Sequence, residues 1–213
     1  MLKNEIIEKL IEINAIKLNP ANPFTWASGW RSPIYCDNRK ILSYPDVRKL
    51  VCEGLKTKIH HHFKDVEVIA GVATGAIAHG VLVAEALNLP FIYVRSSPKQ
   101  HGLENLIEGE LAKDKRVVVI EDLISTGLSS LKAVDAIRNA GAKVLGMLSI
   151  FTYSFKIAEK NFAKKDVEIF TLADYEQLIR YALKAKQITN KELELLEQWR
   201  IDPENWGNLF ANK

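Results

Sequence analysis

The chain has 213 residues, 47% hydrophobic and 26% charged, a globular composition that excludes disordered, collagen-like and disulfide-scaffold classes. At ~1.4 times a typical domain of about 150 residues, it predicts one elaborated domain rather than two. With 29 Lys and Arg against 26 Asp and Glu, the net charge of +3 is too small to argue for nucleic acid or an anionic membrane surface.

Ile6, Ile7, Leu10, Ile11 and Ala15 recur with a helical period, so a first helix is expected to end before Asn19 and Pro20. The opening MLKNEIIEKLIEINAIKL carries acids throughout, unlike the apolar stretch of a secretory signal, and is expected to belong to the fold. ANPFTWASGWRSPIYCDNRK has turn formers and two tryptophans but no steady period. It reads as an irregular cap with one short strand near Ile34 to Cys36, completing an N-terminal unit over 1–44. Pro45 opens a helix that carries Val47, Leu50, Val51, Leu55, Ile59 and Phe63 on one face and ends near Lys64. The adjacent His60, His61 and His62 point in different directions on such a helix and are expected at the surface.

From there the pattern alternates: strand 66–71, helix 75–88, strand 90–95, loop 96–112, strand 116–122, helix 126–140, strand 142–151 and strand 167–172. Strands rich in β-branched residues, separated by helices, predict an α/β fold with a Rossmann-like parallel sheet flanked by helices. The core is expected over 45–172 and covering helices over 173–213, near 174–185 and 190–200. The uncharged run Val68 to Ala84 is shorter than the roughly 20 apolar residues of a membrane helix, so no span is expected. Cys36 and Cys52 lack metal-ligand spacing and read as reduced thiols of a cytoplasmic protein.

The most informative stretch is RVVVIEDLISTGLSS, residues 116–130. Glu121 and Asp122 fall at the carboxyl end of a buried strand, where open α/β sheets bind ligands, and paired carboxylates there suit vicinal sugar hydroxyls. Ser125, Thr126, Gly127, Leu128 and Ser129 then open a helix, whose N–H groups and hydroxyls form a phosphate site. No GxxxxGK[ST] and no strand-linked GxGxxG competes with it. Arg95, Lys99 and His101 form a local basic cluster, and the 17-residue connection that follows Arg95 reads as an anion-binding lid. VIAGVATGAIAHG turns through Thr74 and Gly75, where backbone can approach pyrophosphate closely, whereas His79 is expected to be a satisfied, partly buried histidine.

VVVIEDLISTG resembles the ribose-phosphate motif of type I phosphoribosyltransferases, enzymes that use phosphoribosyl pyrophosphate (PRPP). FTWASGWRSPIYCDNRK, GVATGAIAHG and YVRSSPKQHGLENLIEG are similar, in that order, to the N-terminal hood, pyrophosphate loop and mobile catalytic loop of the shorter bacterial orotate phosphoribosyltransferases. The resemblance implies Mg²⁺-dependent transfer of ribose 5-phosphate from PRPP to orotate, a step of pyrimidine synthesis. By resemblance the PRPP residues are Arg95, Lys99, His101, Glu121, Asp122, Leu123, Ile124, Ser125, Thr126, Gly127, Leu128 and Ser129, with Lys99, His101 and Asp122 catalytic. Orotate falls to Ser125, with Arg31, Tyr35, Ile34 and Cys36 as weaker candidates. Mg²⁺ is expected to ride mainly on PRPP oxygens and water, with no direct protein ligand. A homodimer is implied, in which Arg95, Lys99 and His101 complete the neighbouring site, with neither nucleic acid nor membrane as partner.

This chain departs from the family's pattern in four places. Leu128 stands where many relatives have glycine, Ala27 and Ser96 where longer members have lysines, and FTYSF where they place an arginine for the orotate carboxylate. Another nucleobase phosphoribosyltransferase, or a PRPP-sensing regulator on the same fold, are the competing readings. The hood and the intact basic loop favour the orotate enzyme.

Overall fold

Helix-forming and β-branched segments alternate along the chain as the sequence predicts, and the computed structural model, describing residues 2–26, 29–97 and 106–210, shows what they build. α1 (Leu2–Glu12) is shorter than expected, because residues 16–18 leave the helix and form β1 (Ile16–Leu18). β2 (Phe24–Thr25) and β3 (Arg31–Ser32) make a small hairpin, and β4 (Ile34–Cys36) pairs antiparallel with β1. Among the described residues the N-terminal unit thus contains four strands where one was expected, followed by a 3-10 turn at Asn38–Ser43.

After α2 (Pro45–His62), the elements are β5 (Val68–Val72), α3 (Ile77–Leu87), β6 (Phe91–Val94), β7 (Ile107–Glu108), β8 (Arg116–Ile124), α4 (Leu128–Asn139) and β9 (Lys143–Thr152). α5 (Lys156–Lys164), β10 (Ile169–Asp174), α6 (Tyr175–Lys184) and α7 (Asn190–Ile201) complete the order. Described strands form a six-stranded sheet in the order β10-β9-β8-β5-β6-β7, parallel except for β7. β7 pairs antiparallel with β6 and corrects the expected 96–112 loop, since Ile107 is buried in the core and its strand closes the segment near Leu106.

The sheet is covered on both faces, as alternation over Val117–Ile120 of β8 shows. Val118 and Ile120 enter the core shared with α1, α2, α3, α6 and α7, while Val117, Val119 and Ile124 enter the one shared with α4 and α5. Such two-sided burial explains the unbroken apolar run Val117–Ile120, which a half-exposed strand would interrupt with polar residues. α5 is absent from the sequence expectations, although Ala158 and Phe162, both buried, stand four residues apart on one helical face.

The hood is fastened to the far end of the chain through rings. Trp26 packs on Tyr153 (centroids 5.2 Å apart) and edge-on against Trp199 of α7 (5.6 Å), while Trp199 also meets Phe155 (5.2 Å) and Tyr175 (5.3 Å). The carboxyl ends of β8 and β9 consequently lie under a lid of hood and C-terminal residues.

Candidate active site

β8 delivers its two acids to different places. Glu121 is only 4% exposed, and its carboxyl accepts from Ser130 Oγ (2.7 Å) on α4 and from the Asp122 N–H (3.0 Å). Burial, then the neighbouring Asp122 charge, pushes Glu121 well above the usual carboxylate range. The adjacent acids are therefore not an equivalent sugar-binding pair. Glu121 is held inside by α4, whereas Asp122 lies against the loop after β5, where a Cβ on Gly75 would fall 2.3 Å from Asp122 Oδ2.

The raised Glu121 carboxyl makes a prediction about stability. A native pKa above the unfolded value means that the folded protein holds the proton more tightly. Its contribution is therefore full below the unfolded carboxylate range, near ~4.3, and is lost as pH rises through the native value. Relative to Glu121→Gln, the wild-type protein should lose unfolding free energy as pH is raised from acid to neutral. Urea melts of both proteins across that range check the sign; parallel curves would contradict it.

Asp122 is fixed from the hood side as well. Asn38 is buried and donates through Nδ2 to the Asp122 carbonyl (2.6 Å), while Cys36 Sγ reaches Asn38 Oδ1 (3.5 Å). His79, at 2% exposure, sits beside Asn38 and Asp122, and among the described residues its Nε2 has no hydrogen-bond partner. It is more deeply buried than expected and its ring is satisfied only in part, through the Asn38 backbone. Desolvation lowers its pKa, opposed by the Asn38 backbone and the Asp122 charge.

The turn from β8 into α4 presents an open helix N-terminus. Gly127 caps the helix at φ 79°, and its missing side chain leaves room for Phe162, whose ring a Cβ would meet at 2.5 Å. Leu131 N–H donates to Gly127 O (2.9 Å) as the α4 ladder begins. The N–H groups ahead of it in the first helical turn have no partner within the helix and suit an anion. Leu128 poses no conformational problem there. It is an ordinary helical residue and its side chain is 61% exposed, so Gly127 alone takes the left-handed turn. Asn161 of α5 donates Nδ2 to Thr126 O (3.0 Å) and supports the turn from below.

A cavity of about 270 Å³ opens between this turn and the hood, lined by Thr25, Trp26, Tyr35, Cys36, Leu123, Ser125 and Tyr153. Ser125, Tyr35 and Cys36 meet there as expected. Arg31 and Ile34 do not line it: the Arg31 stem passes over Gly207, and Ile34 is buried with its carbonyl accepting from Trp26 Nε1 (3.1 Å). Ile124, taken as a ligand residue, instead enters the α4 and α5 core, while exposed Ser129 stays at the helix opening.

Arg95 stands at the root of the basic loop, with its N–H donating to Leu106 O (2.8 Å) and its guanidinium to Glu108 (3.2 Å). Lys99 and His101 lie outside the described residues. Gly75 was expected at a turn for pyrophosphate and is found against Asp122, whereas Asn38, Tyr153, Asn161 and Phe162 were missed by sequence reasoning. Only the helical spacing of Ala158 and Phe162 signalled any of them.

Comparison with known proteins agrees with this geometry. The Phosphoribosyl transferase domain family matches residues 43–186. An orotate phosphoribosyltransferase of Porphyromonas gingivalis is 62% identical over 202 residues, covering 95% of this chain and 96% of that protein. One from Enterococcus faecalis is 52% identical over 203 residues, covering 95% and 97%. Among solved structures, orotate phosphoribosyltransferase from Aeropyrum pernix superposes with TM-score 0.73 at 25% identity, over 86% of this chain and 99% of that one. The Leishmania donovani UMP synthase gives 0.77 at 27% identity, over 92% and 42%.

Proposed function

The chain belongs to the orotate phosphoribosyltransferases of the phosphoribosyl transferase family, and on that premise we propose that it transfers ribose 5-phosphate from PRPP to N1 of orotate. The products are orotidine 5′-monophosphate and pyrophosphate, and the step belongs to pyrimidine biosynthesis. The observation that carries this reading is one continuous turn that sets Asp122 beside the first turn of α4 and beneath the hood cavity. Sugar, phosphate and base each find a neighbouring subsite.

Breaking the glycosidic bond to pyrophosphate builds positive charge on the ribose and negative charge on the leaving group. Asp122 faces the ribose and stabilises its positive charge, and the α4 N–H groups hold the 5-phosphate. Arg95, Lys99 and His101 meet the leaving pyrophosphate. Among the described residues no three His, Cys, Asp or Glu side chains converge on a metal position. Mg²⁺ would be carried mainly by substrate oxygens and water, and would there neutralise phosphate charge. Glu121, turned to Ser130, acts from behind by fixing the strand end.

The family resemblance supports a homodimer in which the 95–101 cations serve the neighbouring site. Equal amounts of Lys99→Ala and Asp122→Asn proteins, each nearly inactive alone, should recover about a quarter of wild-type activity after random subunit exchange in a two-fold dimer. Flat activity after demonstrated exchange rejects the shared site. A cytoplasmic location accords with these substrates and with the free thiols Cys36 and Cys52.

The activity itself is tested by mixing protein, PRPP and Mg²⁺ with orotate, adenine, hypoxanthine or uracil and following absorbance of each base. Orotate should be consumed. Consumption of another base in its place overturns the specificity, and consumption of none favours a PRPP-sensing regulator.

A further inference from the structure

α5 meets the turn between β8 and α4 with two consecutive side chains. Ala158 and Phe162 bury one helical face in the core shared with α4, and Asn161 flanks that face half-buried. Phe162 lies against Gly127, which has no Cβ for its ring to meet, while Asn161 Nδ2 donates to Thr126 O at 3.0 Å. The far end of α5 is fastened to α4, because Arg138 donates to the carbonyls of Lys165 (2.6 Å) and Asp166 (3.0 Å). Asn161 is thus presented from a fixed element.

Its hydrogen bond sets the direction of a peptide. Among the described residues no other donor reaches Thr126 O. The 126–127 peptide is planar and trans, so a carbonyl turned toward α5 turns the Gly127 N–H the opposite way. The N–H groups of Ser125, Thr126 and Gly127 find no acceptor among the described residues. Gly127 is buried, where an N–H ordinarily has one. The acceptor it lacks is supplied by a bound anion.

Glycine makes the hold necessary. Gly127 takes φ 79°, yet glycine occupies either hand of φ at little cost, so without Asn161 this peptide is free to rotate. Rotation would put the Thr126 oxygen where the N–H now stands, and an oxygen there repels phosphate. Two residues earlier, Ile124 O is gripped twice, by the Tyr153 N–H (3.1 Å) and by Thr152 Oγ1 (3.3 Å). Thr126 O depends on Asn161 alone among the described residues.

We propose that Asn161 is a positioning residue for the phosphoribosyl group, holding the Gly127 N–H toward the 5-phosphate without touching it. The assignment rests on the phosphate reading of this turn given above and adds the residue, outside the turn, that sets its polarity. Asn161→Leu removes the amide at similar volume, and Asn161→Ala removes it with no steric demand. Isothermal titration of the full chain with orotidine 5′-monophosphate reads the turn. Titration with pyrophosphate and Mg²⁺ is the control, because pyrophosphate has no 5-phosphate.

Both variants should bind orotidine 5′-monophosphate about tenfold more weakly, the scale of one hydrogen bond to a charged group. Pyrophosphate should bind as to the wild-type protein. The phosphorus NMR resonance of the bound nucleotide should move in both variants, since that nucleus senses the donors around it. An unaltered nucleotide affinity and resonance in both variants, or equal losses for nucleotide and pyrophosphate, overturns the Asn161 assignment while wild-type turnover of orotate leaves the enzyme reading intact. A wild-type protein that neither consumes orotate nor binds the nucleotide overturns both.

Discussion

Asp122→Asn is expected to fold normally and to lose about 10²- to 10³-fold in kcat, the range for removing one preorganised electrostatic group from a transition state. Asparagine keeps the size and polarity of the side chain, and the bond from Asn38 Nδ2 goes to the Asp122 main-chain carbonyl, so it survives the substitution. What disappears is the negative charge that the proposed mechanism sets opposite the ribose. Because that charge grows in value only as the sugar becomes cationic, KM for PRPP should change far less than kcat. Steady-state formation of orotidine 5′-monophosphate at saturating and limiting PRPP separates the two. A kcat within tenfold of wild type would show that the ribose charge is met elsewhere.

Gly75→Ala is expected to cost activity about 10²-fold, comparable to moving a reacting group by 1 Å. The added methyl would lie 2.3 Å from Oδ2, 2.4 Å from Cγ and 2.6 Å from Oδ1 of Asp122, so the carboxylate or the loop must retreat. Gly75 shows no left-handed backbone that alanine would strain, and the penalty should fall on the site while global stability changes little. The two substitutions act through one carboxylate. Their effects should therefore be strongly non-additive, Gly75→Ala costing little further activity in an Asp122→Asn protein. Full additivity in that cycle would separate Gly75 from Asp122 and leave the loop with an independent role.

Much of this architecture is legible in the sequence because the physics that specifies it is local. β-branched runs such as Val117–Val119 with apolar helices between them fix an α/β sheet, and the acids and small residues after Ile120 locate its ligand end. Long-range pairing is not local, and there the expectations fall short. β1 exists only because the hood folds back and pairs it with the expected strand β4, and two-residue strands such as β2, β3 and β7 carry no periodicity to detect. At the site, the EDLISTG string reveals its own residues but not their directions. Glu121 and Asp122 look interchangeable until Ser130 captures one and Gly75 makes room for the other. Asn38 lies 84 positions from Asp122 in the chain, and no spacing rule links them. Tyr153 is invisible for the same reason, since a tyrosine after an apolar strand reads as core until it is seen to line a cavity.

The rings joining Trp26 to Trp199 have a bearing on how the protein comes into being on the ribosome. Translation proceeds from the N-terminus, and the sheet is fully synthesised once β10 ends at Asp174. Tyr153 and Trp26, both walls of the base cavity, still await Trp199, which arrives only as the last helix emerges. A product cut short ahead of α7 would carry every strand of the described sheet yet lack Trp199, the ring against which Trp26 and Tyr153 pack, so the hood gains its anchor only from the end of the chain.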